Sequence, residues 1–86
     1  MKNRDRNEII GSILLSVKNA KERDGIGITR IMYDSFLTHG MVTHYLKLLT
    51  KNGSLEHDEP NKTYRITDKG LQFLELQSKI SDMLEL

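Results

Sequence analysis

The sequence contains no cysteine. This excludes a disulfide-stapled secreted module and a thiolate zinc site, so the chain must hold together through its apolar core or through a partner chain. It also lacks any apolar run near the ~18 residues that a membrane span needs. Its start, Met1-Lys2-Asn3-Arg4-Asp5-Arg6-Asn7, is too polar for a secretory signal. The expectation is a cytoplasmic protein with no membrane partner. An excess of charge of one sign is missing too: 13 basic and 12 acidic residues give a net charge of +1, so bulk charge alone does not announce a polyanion-binding protein. At 86 residues the chain fits one domain and is too short for a two-domain enzyme.

The distribution of charge is more informative than its sum. Residues 1–30 carry a net +3, residues 31–52 +1, residues 53–70 −1 and residues 71–86 −2. A basic first half and an acidic tail suit a protein that presents one end to phosphate and keeps the other away.

Asp5 and Glu8 stand three apart like a capping box, and Ile9, Ile10, Ile13, Leu14 and Val17 follow at helical spacing to about Ala20. This predicts a first helix. Lys21-Glu22-Arg23-Asp24-Gly25 is a connector, and Gly25 and Gly27 bracket Ile26 in a short extended piece that runs through Ile28. Thr29 is expected to cap a short second helix over residues 30–36 with Ile31, Met32 and Phe36 on its buried side. Thr38 caps a third helix, in which Val42, Tyr45, Leu46 and Leu49 form the apolar stripe, and Asn52-Gly53 stops it. A hairpin follows, with turn chemistry at residues 58–62 between Leu55-Glu56-His57 and Thr63-Tyr64-Arg65-Ile66-Thr67. Thr67 caps a last helix that reaches almost to Leu86.

A short helix, a tight turn and a longer helix make a helix-turn-helix, and a hairpin directly after the second of these is a wing. The predicted fold is mainly α with a small β-hairpin: a winged helix-turn-helix over residues 1–70, with an extended C-terminal helix over residues 71–86 that completes the core and forms a dimerisation seam.

The stripe on the third helix leaves His39, Gly40, Thr43, His44, Lys47, Thr50 and Lys51 facing outward. Thr43 and His44 are candidates for base edges in a major groove, Lys47 and Lys51 for phosphates, and Gly40 for close approach of the backbone. Any amphipathic helix has a polar outer face, so it is the helix-turn-helix context that makes this face a DNA-contact candidate. It carries no arginine or asparagine, the usual bidentate readers of guanine and adenine, which lowers the expected sequence specificity. In the wing, Asn61 and Lys62 occupy the tip and Arg65 the returning strand, beside Asp58 and Glu59, which repel phosphate. Lys2, Arg4 and Arg6 could form a basic arm.

In the last helix Phe73, Leu76, Ile80 and Met83 are spaced as an a/d seam, with Leu71 and Leu74 turned toward the core. Apolar residues continuing to Leu84 and Leu86 need a further cover, most simply a second copy of the chain. The competing expectation is that the helix folds back on its own domain.

His39 and His44 lie about 140° apart on a helix, which argues against a shared metal. No glycine-rich phosphate loop, elbow serine or carboxylate pair is present, so neither catalysis nor a cofactor is expected. Tyr33 and Tyr45 read as core aromatics with a hydroxyl at the rim.

Four strings then fall into a known order: Thr29-Arg30-Ile31-Met32-Tyr33, Leu37-Thr38, Tyr45-Leu46-Lys47-Leu48-Leu49, and Tyr64-Arg65-Ile66-Thr67-Asp68-Lys69-Gly70. Over about residues 8–76 the sequence resembles the small archaeal winged-helix DNA-binding proteins, which include transcriptional regulators and chromatin-associated dimers joined by a C-terminal antiparallel coiled coil. The resemblance implies binding of double-stranded DNA through His39, Thr43, His44, Lys47, Lys51, Lys62 and Arg65, and it implies a homodimer. The sequence departs from the pattern at Ser35, where the family often has alanine, and at Gly53-Ser54-Leu55, in place of Gly-Leu-Ile. The last helix is also shorter than in coiled-coil members. The leading expectation is a transcriptional regulator or nucleoid-associated factor. The rival is a winged helix that docks a protein and needs no basic face, which near-neutral charge and the acidic wing tip favour.

Overall fold

The computed structural model describes residues 5–20 and 24–84. Lys2 and Arg4 of the suggested arm, Lys21-Glu22-Arg23 of the connector, and Leu86 lie outside the described residues. The elements are α1 (Arg6–Asn19), α2 (Ile28–Ser35), α3 (His39–Lys51), β1 (Leu55–Asp58), β2 (Thr63–Ile66) and α4 (Asp68–Leu84). Helices α2 and α3 with the hairpin form the winged helix-turn-helix, and α1 packs against α2 and α4.

Local chemistry sets most of the boundaries. The Asp5 carboxylate accepts the Glu8 N–H at 2.8 Å and opens α1, and the Thr38 hydroxyl accepts the Met41 N–H at 3.2 Å and opens α3; each satisfies a donor the first turn leaves free. Helix α2 departs from expectation. It begins at Ile28 with Gly27 as its N-cap and no side-chain cap, so Thr29 lies inside the helix. The extended piece before it is shorter than expected and consists of one antiparallel bridge, Ile26 to Tyr64, with N–H···O distances of 3.1 and 2.8 Å. This bridge lays the chain along the free edge of β2. Gly25, at φ +90°, makes the approach possible, because a Cβ there would collide with the Tyr64 carbonyl.

The core consists of Ile9, Ile13, Leu14 and Val17 of α1, Ile26, Ile31 of α2, Val42, Leu46 and Leu49 of α3, and Leu55 of β1. Each such side chain contributes about 1.5–3 kcal/mol when fully covered. Two aromatic assignments are corrected here. Phe36 is the C-cap of α2 in the left-handed conformation (φ 56°), which swings it outward to 90% exposure. Ser35, one turn after Ile31, is the buried residue instead, with Leu37 half-buried beyond it. Tyr33 is 80% exposed rather than a core aromatic, whereas Tyr45 packs on the core as expected.

The end of α3, the start of β1 and the start of α4 are clasped together. The Thr67 hydroxyl donates to the Gly53 carbonyl at 2.6 Å and accepts the Gly70 N–H at 3.2 Å. The Lys69 ammonium donates to the Asn52 carbonyl at 2.6 Å, and the Thr67 N–H to the Ser54 carbonyl at 3.1 Å. Gly70 lies so close to that strand that a Cβ would sit 2.5 Å from the Ser54 carbonyl oxygen. The Thr67-Asp68-Lys69-Gly70 string is therefore a joint that fixes the wing relative to α3.

Candidate nucleic-acid interface

Helix α3 turns Val42, Leu46 and Leu49 into the core, and the residues on the far side follow from the 100° step of the helix. Gly40, His44, Lys47 and Lys51 lie there and are exposed, and His39, close to Leu46 in phase, is exposed at the start of the helix. Helix α3 contains no acidic residue, so Lys47 and Lys51 meet no opposing charge on their own helix. Nothing lies within 4 Å of the position a Gly40 Cβ would take, leaving the backbone of the first turn open to a ligand. His44 meets the edge of Tyr45, with ring centroids 5.1 Å apart.

Thr43 does not belong to this outward strip. It is half-buried, and its hydroxyl is enclosed without a hydrogen-bond partner, as is that of Thr50. Both threonines sit on the same flank of α3, about 70° to 95° from the middle of the buried stripe, so the hydroxyl expected at a base edge is turned into the protein. Met41 is the residue overlooked. It is 38% exposed in the first turn. Its helical phase, on the side of His44 away from Lys47, is the signal that could have identified it.

The wing hairpin pairs Leu55 with Ile66, Glu56 with Arg65, His57 with Tyr64 and Asp58 with Thr63. Strand alternation puts Leu55, His57, Tyr64 and Ile66 on one face and Glu56, Asp58, Thr63 and Arg65 on the other. On the first face the His57 and Tyr64 rings stack at 4.5 Å with planes 16° apart. On the second, Arg65 lies 3.7 Å from Asp58 and directly opposite Glu56. Asn61, expected at the tip for DNA contact, is committed to Asp58: its side-chain amide donates to the carboxylate at 3.0 Å and its backbone N–H at 3.4 Å. The Asn61 side-chain bond first, and then its backbone bond and the Arg65 charge, hold Asp58 below the ordinary carboxylate value, against desolvation that pushes the other way. Lys62 stands exposed in the turn at φ 53° with no ion pair among the described residues. Of the two wing cations, Lys62 is thus available and Arg65 is held by an acid.

On α4, Leu76, Ile80, Met83 and Leu84 are exposed, at 56–80%. Phe73 is different: it is half-buried and packs against the core, so it serves its own domain rather than standing free with the other three seam residues. Leu71, assigned to the core, instead lines an open groove of about 600 Å³ between α1 and α4 together with Leu15, Leu74 and Ser78. The Gln77 amide donates to the Asn7 carbonyl at 2.6 Å and sets the phase of α4 against α1. No helix among the described residues is long and apolar enough to cross a membrane.

No curated protein matches the chain significantly. Among solved structures, the chain is similar to the crystal structure of Sso10a-2, a DNA-binding protein from Sulfolobus solfataricus: the TM-score is 0.67 at 25% sequence identity, over 96% of this chain and 99% of that one. This agrees with the resemblance to archaeal winged-helix DNA-binding proteins carried by the four sequence strings. The family model for winged helix-turn-helix proteins matches residues 3–85, and with helix-turn-helix, wing and closing helix all in place, the chain belongs to the winged helix-turn-helix family.

Proposed function

We propose that the protein binds double-stranded DNA as a homodimer, as a transcriptional regulator or nucleoid-associated factor and not as an enzyme. The observation that carries the reading is the outer strip of α3, where Lys47 and Lys51 stand exposed beside His44 on a helix without a carboxylate. In a helix-turn-helix this strip faces the major groove. The similarity to a DNA-binding protein of the same fold and nearly the same extent supports it. Lys47 and Lys51 neutralise phosphates, His44 and His39 reach the groove, and Lys62 supplies a backbone contact from the wing. Leu76, Ile80 and Met83 form the seam with a second copy, whose recognition helix enters a neighbouring major groove about 34 Å away.

Fluorescence anisotropy with a labelled duplex at several salt concentrations tests the first part. Binding should weaken with added salt, with a log–log slope of about −0.9 for each phosphate neutralised. Lys47→Glu with Lys51→Glu should abolish it; retention by the double variant overturns the assignment of α3. Sedimentation tests the dimer: Ile80→Glu with Met83→Glu should give a folded monomer.

A second reading, a winged helix that docks a protein, is favoured by one specific feature. Tyr33 and Phe36 stand almost fully exposed at the end of α2 while the wing carries three acids against two bases. Under that reading the lysine variants retain function and duplex DNA is not bound.

A further inference from the structure

The first two turns of α3 are the part of a recognition helix that meets base edges, and their chemistry in this protein is unusual. The residues facing out there are His39, Gly40, Met41 and His44. The hydroxyl of Thr43 is enclosed, α3 has no arginine, asparagine or glutamine, and its two lysines, Lys47 and Lys51, lie beyond these turns, so the side chains that make bidentate contacts to guanine or adenine are absent from this part of the helix. Imidazoles bond to several base edges and discriminate poorly among them. What remains is the Met41 thioether, partly exposed beside a glycine that has open space around it. In the major groove the C5-methyl of thymine is the apolar group that distinguishes one standard base edge from the rest.

We infer that Met41 selects thymine by covering its C5-methyl group, giving the protein a preference for A·T-rich duplex DNA. This rests on α3 entering the major groove. Methionine suits the role because its unbranched, polarizable chain adapts to a methyl group in slightly different positions, and Gly40 lets the first turn come near enough for the contact. The contact is read from the groove floor, separately from the phosphates held by Lys47 and Lys51, so the preference should persist as salt weakens total binding.

The test compares a labelled A·T-rich duplex with the same duplex in which deoxyuridine replaces every thymidine, a change that removes the methyl group and needs no variant to fold. The wild-type protein should bind the thymine duplex more tightly, by about fourfold for each methyl covered. Met41→Ala should bind both duplexes equally, at the level of the wild type on the deoxyuridine duplex, and Met41→Leu should keep the preference. Equal binding of the two duplexes by the wild type, or a preference that survives in Met41→Ala, overturns this inference alone. Failure to bind either duplex at low salt overturns the DNA reading of α3, and this inference with it.

Discussion

Across the wing, the Arg65 guanidinium lies 3.7 Å from the Asp58 carboxylate, which also accepts two hydrogen bonds from Asn61. The pair ties down one of the wing's two cations in the region that a winged helix lays along the DNA backbone. Replacing Asp58→Asn keeps an acceptor for Asn61, removes one negative charge and releases Arg65. Duplex binding should tighten, and the salt slope should steepen by about 0.9, one additional phosphate contact. An unchanged slope in anisotropy titrations shows that Arg65 stays off the phosphates.

Two glycines should respond oppositely to alanine. At Gly70 the new methyl would press on the Ser54 carbonyl and on Ile66, neither of which can give way without opening the joint between wing and α4. Overpacking of this kind costs about 1–3 kcal/mol, so Gly70→Ala should lower the Tm by several degrees. At Gly40 there is open space and helical backbone, so Gly40→Ala should stabilise by about 0.5 kcal/mol. The same methyl would hold α3 away from a groove, so DNA affinity should fall while the Tm rises. A rise in both places the DNA elsewhere.

Phe36 adopts φ 56° with its ring in solvent. A left-handed conformation disfavours any side chain with a Cβ, and Phe36 recovers little through packing. Phe36→Gly should therefore stabilise the domain by about 1 kcal/mol, read as a shift in the urea midpoint without a change in the m-value.

Burial first, and the charge of Glu59 second, raise the Tyr64 phenol above its ordinary value of 10.0. The folded state thus holds this proton more tightly than the unfolded chain does. The resulting stability is fully present below pH 10 and is lost as the pH rises through the higher folded-state value. Tyr64→Phe removes the group, so the Tm difference between wild type and variant should be constant up to about pH 10 and then move against the wild type. A constant difference up to pH 11.5 contradicts the raised value.

Where the chemistry is local, the sequence was sufficient. Asp5, Thr38 and Thr67 cap helices because their side chains bond amides three residues away, a relationship that needs no tertiary contact. The hairpin and the stop at Asn52-Gly53 are likewise properties of short segments. Lys47 and Lys51 were legible as outward residues because they lie far from the apolar stripe on any phase of α3. Residues at the flank of a stripe were not legible: Thr43 and Met41 both border it, and periodicity does not say which flank a neighbouring element covers.

The remaining features depended on contacts between distant segments. One bridge between Ile26 and Tyr64 set where α2 begins. The left-handed cap at the end of that eight-residue helix sent Phe36 into solvent while Ser35 was buried. Contact of Gln77 with Asn7, and of Gly70 with Ser54 just before β1, set the rotation of α4, which packed Phe73 against the core and left Leu76, Ile80 and Met83 bare. The elements and the polarity of their faces could be read along the chain, because hydrogen bonding and helical periodicity act within a few residues. Which apolar side chains are covered depended on how the helices cross, and that is fixed by close contacts between residues distant in the chain.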